Sequence, residues 1–208
     1  MPDVNKDETE IDSARHHDKM IKKKAAREKI MAGKTIERGL LIVHTGKGKG
    51  KSTAAFGMIF RHLGHNMRSG VIQFVKGAWG TGERTVLERF PELVTIKAMG
   101  EGFTWETQDR DRDIAHAREG WEEAKRLIAD PSYKMILLDE LNIVLRYDYL
   151  PLDEVLAVLK SRPLEKHIVI TGRNAREELI ELADLVTEME QVKHPFRSGV
   201  KAQAGVEF

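Results

Sequence analysis

Three lysines alternate with three glycines in Gly46-Lys47-Gly48-Lys49-Gly50-Lys51, and Ser52-Thr53-Ala54-Ala55 follows directly. Glycine lets successive backbone N–H groups converge on an anion, lysine supplies ammonium charge, and a helix start adds partial positive charge. A triphosphate is the natural guest of such a loop, bound by Gly46 through Thr53, with Lys51 on the phosphates and the Ser52 hydroxyl on Mg²⁺. The spacing departs from the general phosphate-loop pattern. That pattern places a glycine where Thr45 stands, and counted from Gly46 the loop is one residue short.

A second constellation is the acid pair Asp139-Glu140, which closes the apolar run Met135-Ile136-Leu137-Leu138. In phosphate-loop proteins an acid at such a strand end holds Mg²⁺ directly or through water, and the next acid positions or activates a nucleophile. A third is Gly100-Glu101-Gly102-Phe103-Thr104-Trp105, whose two rings fall on one side of the segment if it is extended. They either shape an apolar pocket at the ligand edge or cap the core. Trp79, in the glycine-rich loop Lys76 to Gly82, is likewise either a lid or a packed aromatic. The eight histidines show no metal-binding spacing and read as structural or surface residues.

These groups need a scaffold of alternating strands and helices. Apolar runs at Leu40–Val43, Gly70–Val75, Val94–Met99, Met135–Leu138, His167–Gly172 and Leu185–Met189 predict six strands. Helices are predicted from about Lys51 to Leu63, Glu83 to Phe90, Asp109 to Ala129, Pro151 onward with Leu152, Val155, Leu156 and Leu159 inward, and Ala175 to Ala183. The expected architecture is α/β, a mostly parallel sheet of about six strands with helices on both faces and a RecA-like P-loop NTPase core. Residues 1–38 form a charged N-terminal arm, helical over Met20, Ile21, Ala25, Ile30 and Met31 and disordered over about the first ten residues. Residues 39–208 form the phosphate-loop domain. The tail from Lys193 to Phe208 is rich enough in apolar residues to be expected to pack back on the domain.

Composition narrows the function classes. The 34 lysines and arginines nearly balance 33 acids, for a formal charge of +1, which argues against a general nucleic-acid surface. The absence of cysteine removes disulfides, thiolate catalysis and cysteine-based zinc sites. No apolar run approaches a membrane span and no signal-peptide core opens the chain, so a cytoplasmic protein is expected. A GTPase is disfavoured because the only Asn-Lys pair, Asn5-Lys6, precedes the loop.

Six segments in order carry a resemblance: Thr45 to Ala55, Gly102 to Gln108, Leu138-Asp139-Glu140, Tyr147 to Leu152, Ile170-Thr171-Gly172-Arg173, and Lys193 to Gln203. Together they resemble the phosphate-loop family of ATP:cob(I)alamin (corrinoid) adenosyltransferases, from about Gly39 to the C-terminus. The resemblance implies transfer of the 5′-deoxyadenosyl group of ATP to the Co(I) of a reduced corrinoid, with release of triphosphate. It implies Lys51, Glu140, Phe103 and Trp105 as catalytic residues, and Ser52, Asp139 and Glu140 toward Mg²⁺. In the family the short loop is thought to hold ATP reversed, so that the ribose faces the corrinoid. The aromatic pair matching Phe103 and Trp105 displaces the lower axial ligand of cobalt, which makes Co(II) easier to reduce.

The implied partners are ATP, a corrinoid such as cob(I)alamin, cobinamide or a cobyrinate a,c-diamide, and an electron donor such as reduced flavodoxin or flavin. The implied assembly is a homodimer whose N-terminal arm closes over the corrinoid of the partner subunit; neither nucleic acid nor membrane is a partner. The residues by themselves leave two further readings: an ATP-hydrolysing or kinase-type relative, and a nucleotide-gated corrinoid carrier.

Overall fold

The structure, a computed structural model, describes residues 4–75, 81–99 and 109–207. Trp79, Phe103 and Trp105 therefore lie outside the described residues. The chain divides into two compact units, Met1–Glu37 and Arg38–Phe208. The first is built on a single helix, α1 (Val4–Ala32), which reaches into the first ten residues, where composition alone predicts disorder. Its apolar residues Met20, Ile21, Ile30 and Met31 are exposed.

The second unit is a six-stranded sheet in the order β3-β2-β4-β5-β1-β6, in which every neighbouring pair is parallel. The strands are β1 (Leu41–Thr45), β2 (Ser69–Gln73), β3 (Val94–Ala98), β4 (Met135–Asp139), β5 (His167–Thr171) and β6 (Leu185–Glu188). Parallel strands need crossover connections, and helices supply most of them: α2 (Lys51–Gly64), α3 (Gly82–Leu87), α4 (Arg110–Ala129), α5 (Leu141–Arg146), α6 (Leu152–Lys160) and α7 (Glu177–Leu182).

Strand alternation divides the core in two. Ile42, Val71, Leu137 and Val169 face one way, onto Ala55, Phe56 and Ile59 of α2 and Leu87 of α3. Leu41, Val43, Ile72, Ile136, Leu138, Ile168 and Ile170 face the other, onto Trp121, Ala124 and Leu127 of α4 and the apolar faces of α5, α6 and α7. Both faces being covered, the central strands read as continuous apolar runs. Each fully buried Leu or Ile contributes about 1.5–3 kcal/mol by leaving water.

Helix α4 starts where Asp109 accepts a hydrogen bond from Arg112 N at 3.1 Å, with Asp111 and Asp113 in the first turn. It ends at Asp130-Pro131, where the buried Lys166 side chain donates to the Leu127 and Asp130 carbonyls. Periodicity does not predict α5, whose six residues are too few to show a period.

The tail departs from expectation. Val192, Phe196 and Val206 are 94 %, 78 % and 80 % exposed, so the segment does not pack back on the domain through its apolar side chains. The reason is that helices already cover both sheet faces, and edge strand β6 is itself exposed along its length. The tail is tied instead by polar contacts at its two ends, Met189 to the phosphate loop and Glu207 to Lys49.

Candidate active site

The C-terminal ends of β1, β4 and β5 meet at one edge of the sheet, the edge at which open α/β sheets bind ligands. β5 lies between the other two. His44 of β1 pairs in register with Thr171, and Leu138 of β4 with Ile170. The phosphate loop and the acid pair are thus two strands apart, with Thr171 and its following turn between them.

The loop closes tightly. Gly46 and Gly50 have φ of 94° and 100°, and Gly50 is the N-cap of α2, with its carbonyl accepting from Ala54 N. Gly48 N donates to Met189 O at 2.6 Å. A Cβ on Gly48 would lie 2.6 Å from Glu190 O, so only glycine lets the loop lie against the chain leaving β6. Lys51 is buried and donates to Gly48 O, curling its ammonium back into the loop. Burial lowers its pKa, with Arg173 and Lys49 acting in the same direction and Glu140 against it. His44 lies beneath, its Nδ1 3.3 Å from Lys51 O. Lys47, Lys49 and Thr53 are exposed, and Ser52 is partly buried. Lys49 is paired with Glu207.

Asp139 is buried at the end of β4. Thr171 Oγ1 donates to its Oδ1 at 2.7 Å, Gln73 Nε2 to its Oδ2 at 3.3 Å, and Ser52 also hydrogen-bonds to it. Burial nonetheless raises its pKa, the hydrogen bonds opposing the shift. Glu140 has φ 61° and ψ 20°, the left-handed region that a non-glycine residue enters at some cost. Its backbone N–H is held by Thr171 Oγ1 at 2.9 Å. Its carboxyl is pushed up to about 7, first by burial and then by the negative charge of Asp139, while Lys51 and Arg173 oppose the rise.

Phosphate loop and acid pair are therefore brought together as the spacing implies. Ser52, Asp139 and Glu140 offer only hard oxygen donors, and two neighbouring acids whose charge is disfavoured by burial fit a divalent cation such as Mg²⁺. Among the described residues no group of three or more His, Cys, Asp and Glu side chains is placed to hold a metal. That suits a cation completing its shell with phosphates and water. Composition and spacing did not single out Thr171 and Gln73, which orient Asp139, nor Arg173, nor the bracing by Met189 and Glu190. The signal for all of them is strand adjacency, which a linear sequence does not carry.

The family described as ATP:corrinoid adenosyltransferase BtuR/CobO/CobP matches residues 37–208. The chain belongs to this family. A corrinoid adenosyltransferase from Sinorhizobium sp is 64% identical over 201 residues, covering 96% of this chain and 94% of that protein. One from Pseudomonas aeruginosa PAO1 is 56% identical over 194 residues, 93% of this chain and 96% of its own length. Another from Escherichia coli K12 is 52% identical over 172 residues, 83% of this chain and 87% of that one. The resemblance seen from Gly39 onward and the family match from residue 37 thus cover the same unit. For an ATP:corrinoid adenosyltransferase family member, the short loop, its buried lysine and the acid pair across β5 are the parts of the fold that meet nucleotide chemistry. Among the described residues no helix is long and apolar enough to cross a membrane.

Proposed function

We propose that this protein transfers the 5′-deoxyadenosyl group of ATP to the Co(I) of a reduced corrinoid and releases triphosphate. The observation that carries this reading is the family match across the whole second unit, over a phosphate loop whose buried Lys51 faces the Asp139-Glu140 pair.

The reaction dictates what the residues do. An electron pair on Co(I) attacks the 5′ carbon of ATP, a cobalt–carbon bond forms, and the carbon–oxygen bond breaks with its pair leaving on triphosphate. No proton moves in that step, so no general base is required. The barrier is lowered by holding the 5′ carbon in line with cobalt and by stabilising charge on the leaving oxygens. Lys51, Lys49 and the backbone N–H groups of Gly46 to Thr53 serve the second purpose. Lys49 reaches the phosphates by exchanging Glu207 for them.

Ser52, Asp139 and Glu140 would hold Mg²⁺. Bound there, the ion would neutralise charge on the triphosphate. Asp139, fixed by Thr171 and Gln73, keeps its orientation, and Glu140 serves the ion and its waters. Phe103 and Trp105 take the lower face of the corrinoid and favour four-coordinate Co(II). Reduced flavodoxin or flavin is the electron donor. The working assembly is a cytoplasmic homodimer whose N-terminal arm closes over the corrinoid, and the acceptor is cobalamin, cobinamide or an a,c-diamide precursor.

The test is anaerobic: the protein is mixed with ATP, Mg²⁺ and chemically reduced cob(I)alamin, the corrinoid spectrum is followed, and the phosphate product is identified. A light-sensitive alkylcobalamin with intact triphosphate is expected. Free phosphate with an unchanged corrinoid would return the protein to the ATPase or kinase class.

A further inference from the structure

The turn that leaves β5 carries a cation for which the loop and the acid pair provide no role. Thr171 pairs with His44 on one side, and Ile170 with Leu138 on the other. Residues 172–174 therefore emerge between Gly46 and Glu140, about one strand spacing, roughly 4.8 Å, from each strand's path.

The turn is fixed from both sides. Asn142 Nδ2 donates to Gly172 O at 3.0 Å, and Ala175 N donates to Thr45 Oγ1 at 3.1 Å. Gly172 has φ of 126°, and a Cβ there would lie 2.8 Å from Asn142 Cβ and 3.1 Å from Glu140 Oε2. Only glycine lets the backbone pass this close to the acid. Arg176, three residues beyond Arg173, is tied to Leu145 O at 3.2 Å and Asp148 Oδ1 at 2.7 Å.

Arg173 differs from Arg176. It is exposed, and among the described residues it makes no hydrogen bond and no ion pair. Its charge nevertheless reaches both sides of the site, depressing the Lys51 ammonium and opposing the rise at Glu140. Two cations facing each other across the mouth of a phosphate loop repel, and an anion lying between them relieves that repulsion. Guanidinium is suited to that anion, because its planar fork matches phosphate oxygens in pairs.

We propose that Arg173 is a further catalytic residue: its guanidinium binds triphosphate oxygens of ATP opposite Lys51 and stabilises the triphosphate as it leaves. The assignment rests on the adenosyl-transfer reading for its catalytic part and on the geometry alone for its phosphate-binding part.

The experiment separates the two. Binding of inorganic tripolyphosphate to the full-length protein is measured by calorimetry, with and without Mg²⁺, for wild type, Arg173→Lys and Arg173→Gln, and adenosine binding is measured alongside. Arg173→Gln is expected to weaken tripolyphosphate about 10- to 100-fold, the range for a lost charged hydrogen bond. Arg173→Lys should recover part of that loss, adenosine affinity should be unchanged, and kcat for adenosyl transfer should fall in the same order as tripolyphosphate affinity. Unchanged tripolyphosphate binding in Arg173→Gln would overturn the proposal, as would an equal loss of adenosine binding, which marks a general collapse of the site. If wild type forms no alkylcobalamin, adenosyl transfer fails as the function, and tripolyphosphate binding still decides whether Arg173 is a phosphate ligand.

Discussion

Thr171 Oγ1 donates to Asp139 Oδ1 at 2.7 Å and at the same time accepts from the backbone N–H of Glu140 at 2.9 Å. One hydroxyl on β5 thus sets the orientation of the buried acid and anchors the strained residue after it.

Replacing Thr171 with Val keeps the volume and removes the hydroxyl, leaving a buried carboxylate oxygen and a backbone N–H short of a partner. The expected cost is about 1–3 kcal/mol of stability. Adenosyl transfer should fall about tenfold or more, with a raised requirement for Mg²⁺, and Thr171→Ser should restore most of it. Thermal melts and Mg²⁺ titrations of the initial rate read both effects. A Val variant with wild-type Mg²⁺ dependence would remove the link between Thr171 and the metal site.

Gly48 lies against the backbone that leaves β6, and a Cβ there would meet Glu190 O at 2.6 Å and Met189 O at 2.7 Å. Gly48→Ala should push the phosphate loop off that backbone and weaken ATP binding more than tenfold, since the loop amides must converge to bind an anion. Neither core cluster contains the loop, so the melting temperature should move little. Calorimetry with a non-hydrolysed ATP analogue, paired with a thermal melt, distinguishes a displaced loop from an unfolded domain.

His62 and His167 sit edge to face with ring centroids 5.8 Å apart, and burial holds the pKa of each below the ordinary histidine value. His167 Nδ1 accepts from Leu40 N at 3.1 Å, which requires that nitrogen to be unprotonated. The unfolded chain therefore binds more protons than the folded one below about pH 6.5, so stability rises with pH through that region and is fully present above it. Urea unfolding between about pH 5 and 7.5 should show this slope, and His167→Asn, whose amide oxygen can still accept, should flatten it. An unaltered slope in that variant would assign the pH dependence to other groups.

Phe103→Ala combined with Trp105→Ala should abolish turnover that begins from Co(II) corrinoid and an enzymatic reductant. The variant should retain most of the turnover that begins from chemically prepared cob(I)alamin, because only the reduction step needs a four-coordinate cobalt. Equal rates from Co(II) in the variant and wild type would make the two rings packing residues.

The sequence by itself determined the strand-and-helix alternation, the phosphate loop with Lys51 and Ser52, and the acid pair at the end of β4. Each is a local signal: a run of apolar residues, a spacing of glycines, a charge at a strand end. Six motifs in order also identified the family, since they need no coordinates to be recognised. What only the tertiary structure decided is which of these meet. The insertion of β5 between β1 and β4 brings Thr171 to Asp139 and Arg173 to the mouth between Lys51 and Glu140. The turn of chain after β6 makes Gly48 indispensable, and Glu207 reaches back to Lys49 from the far end of the chain. The tail shows the converse, since apolar composition predicts burial there and both sheet faces are already covered. Parallel pairing joins residues far apart in sequence, so the groups that aim a carboxylate or leave an arginine facing a phosphate site carry no mark until the sheet forms.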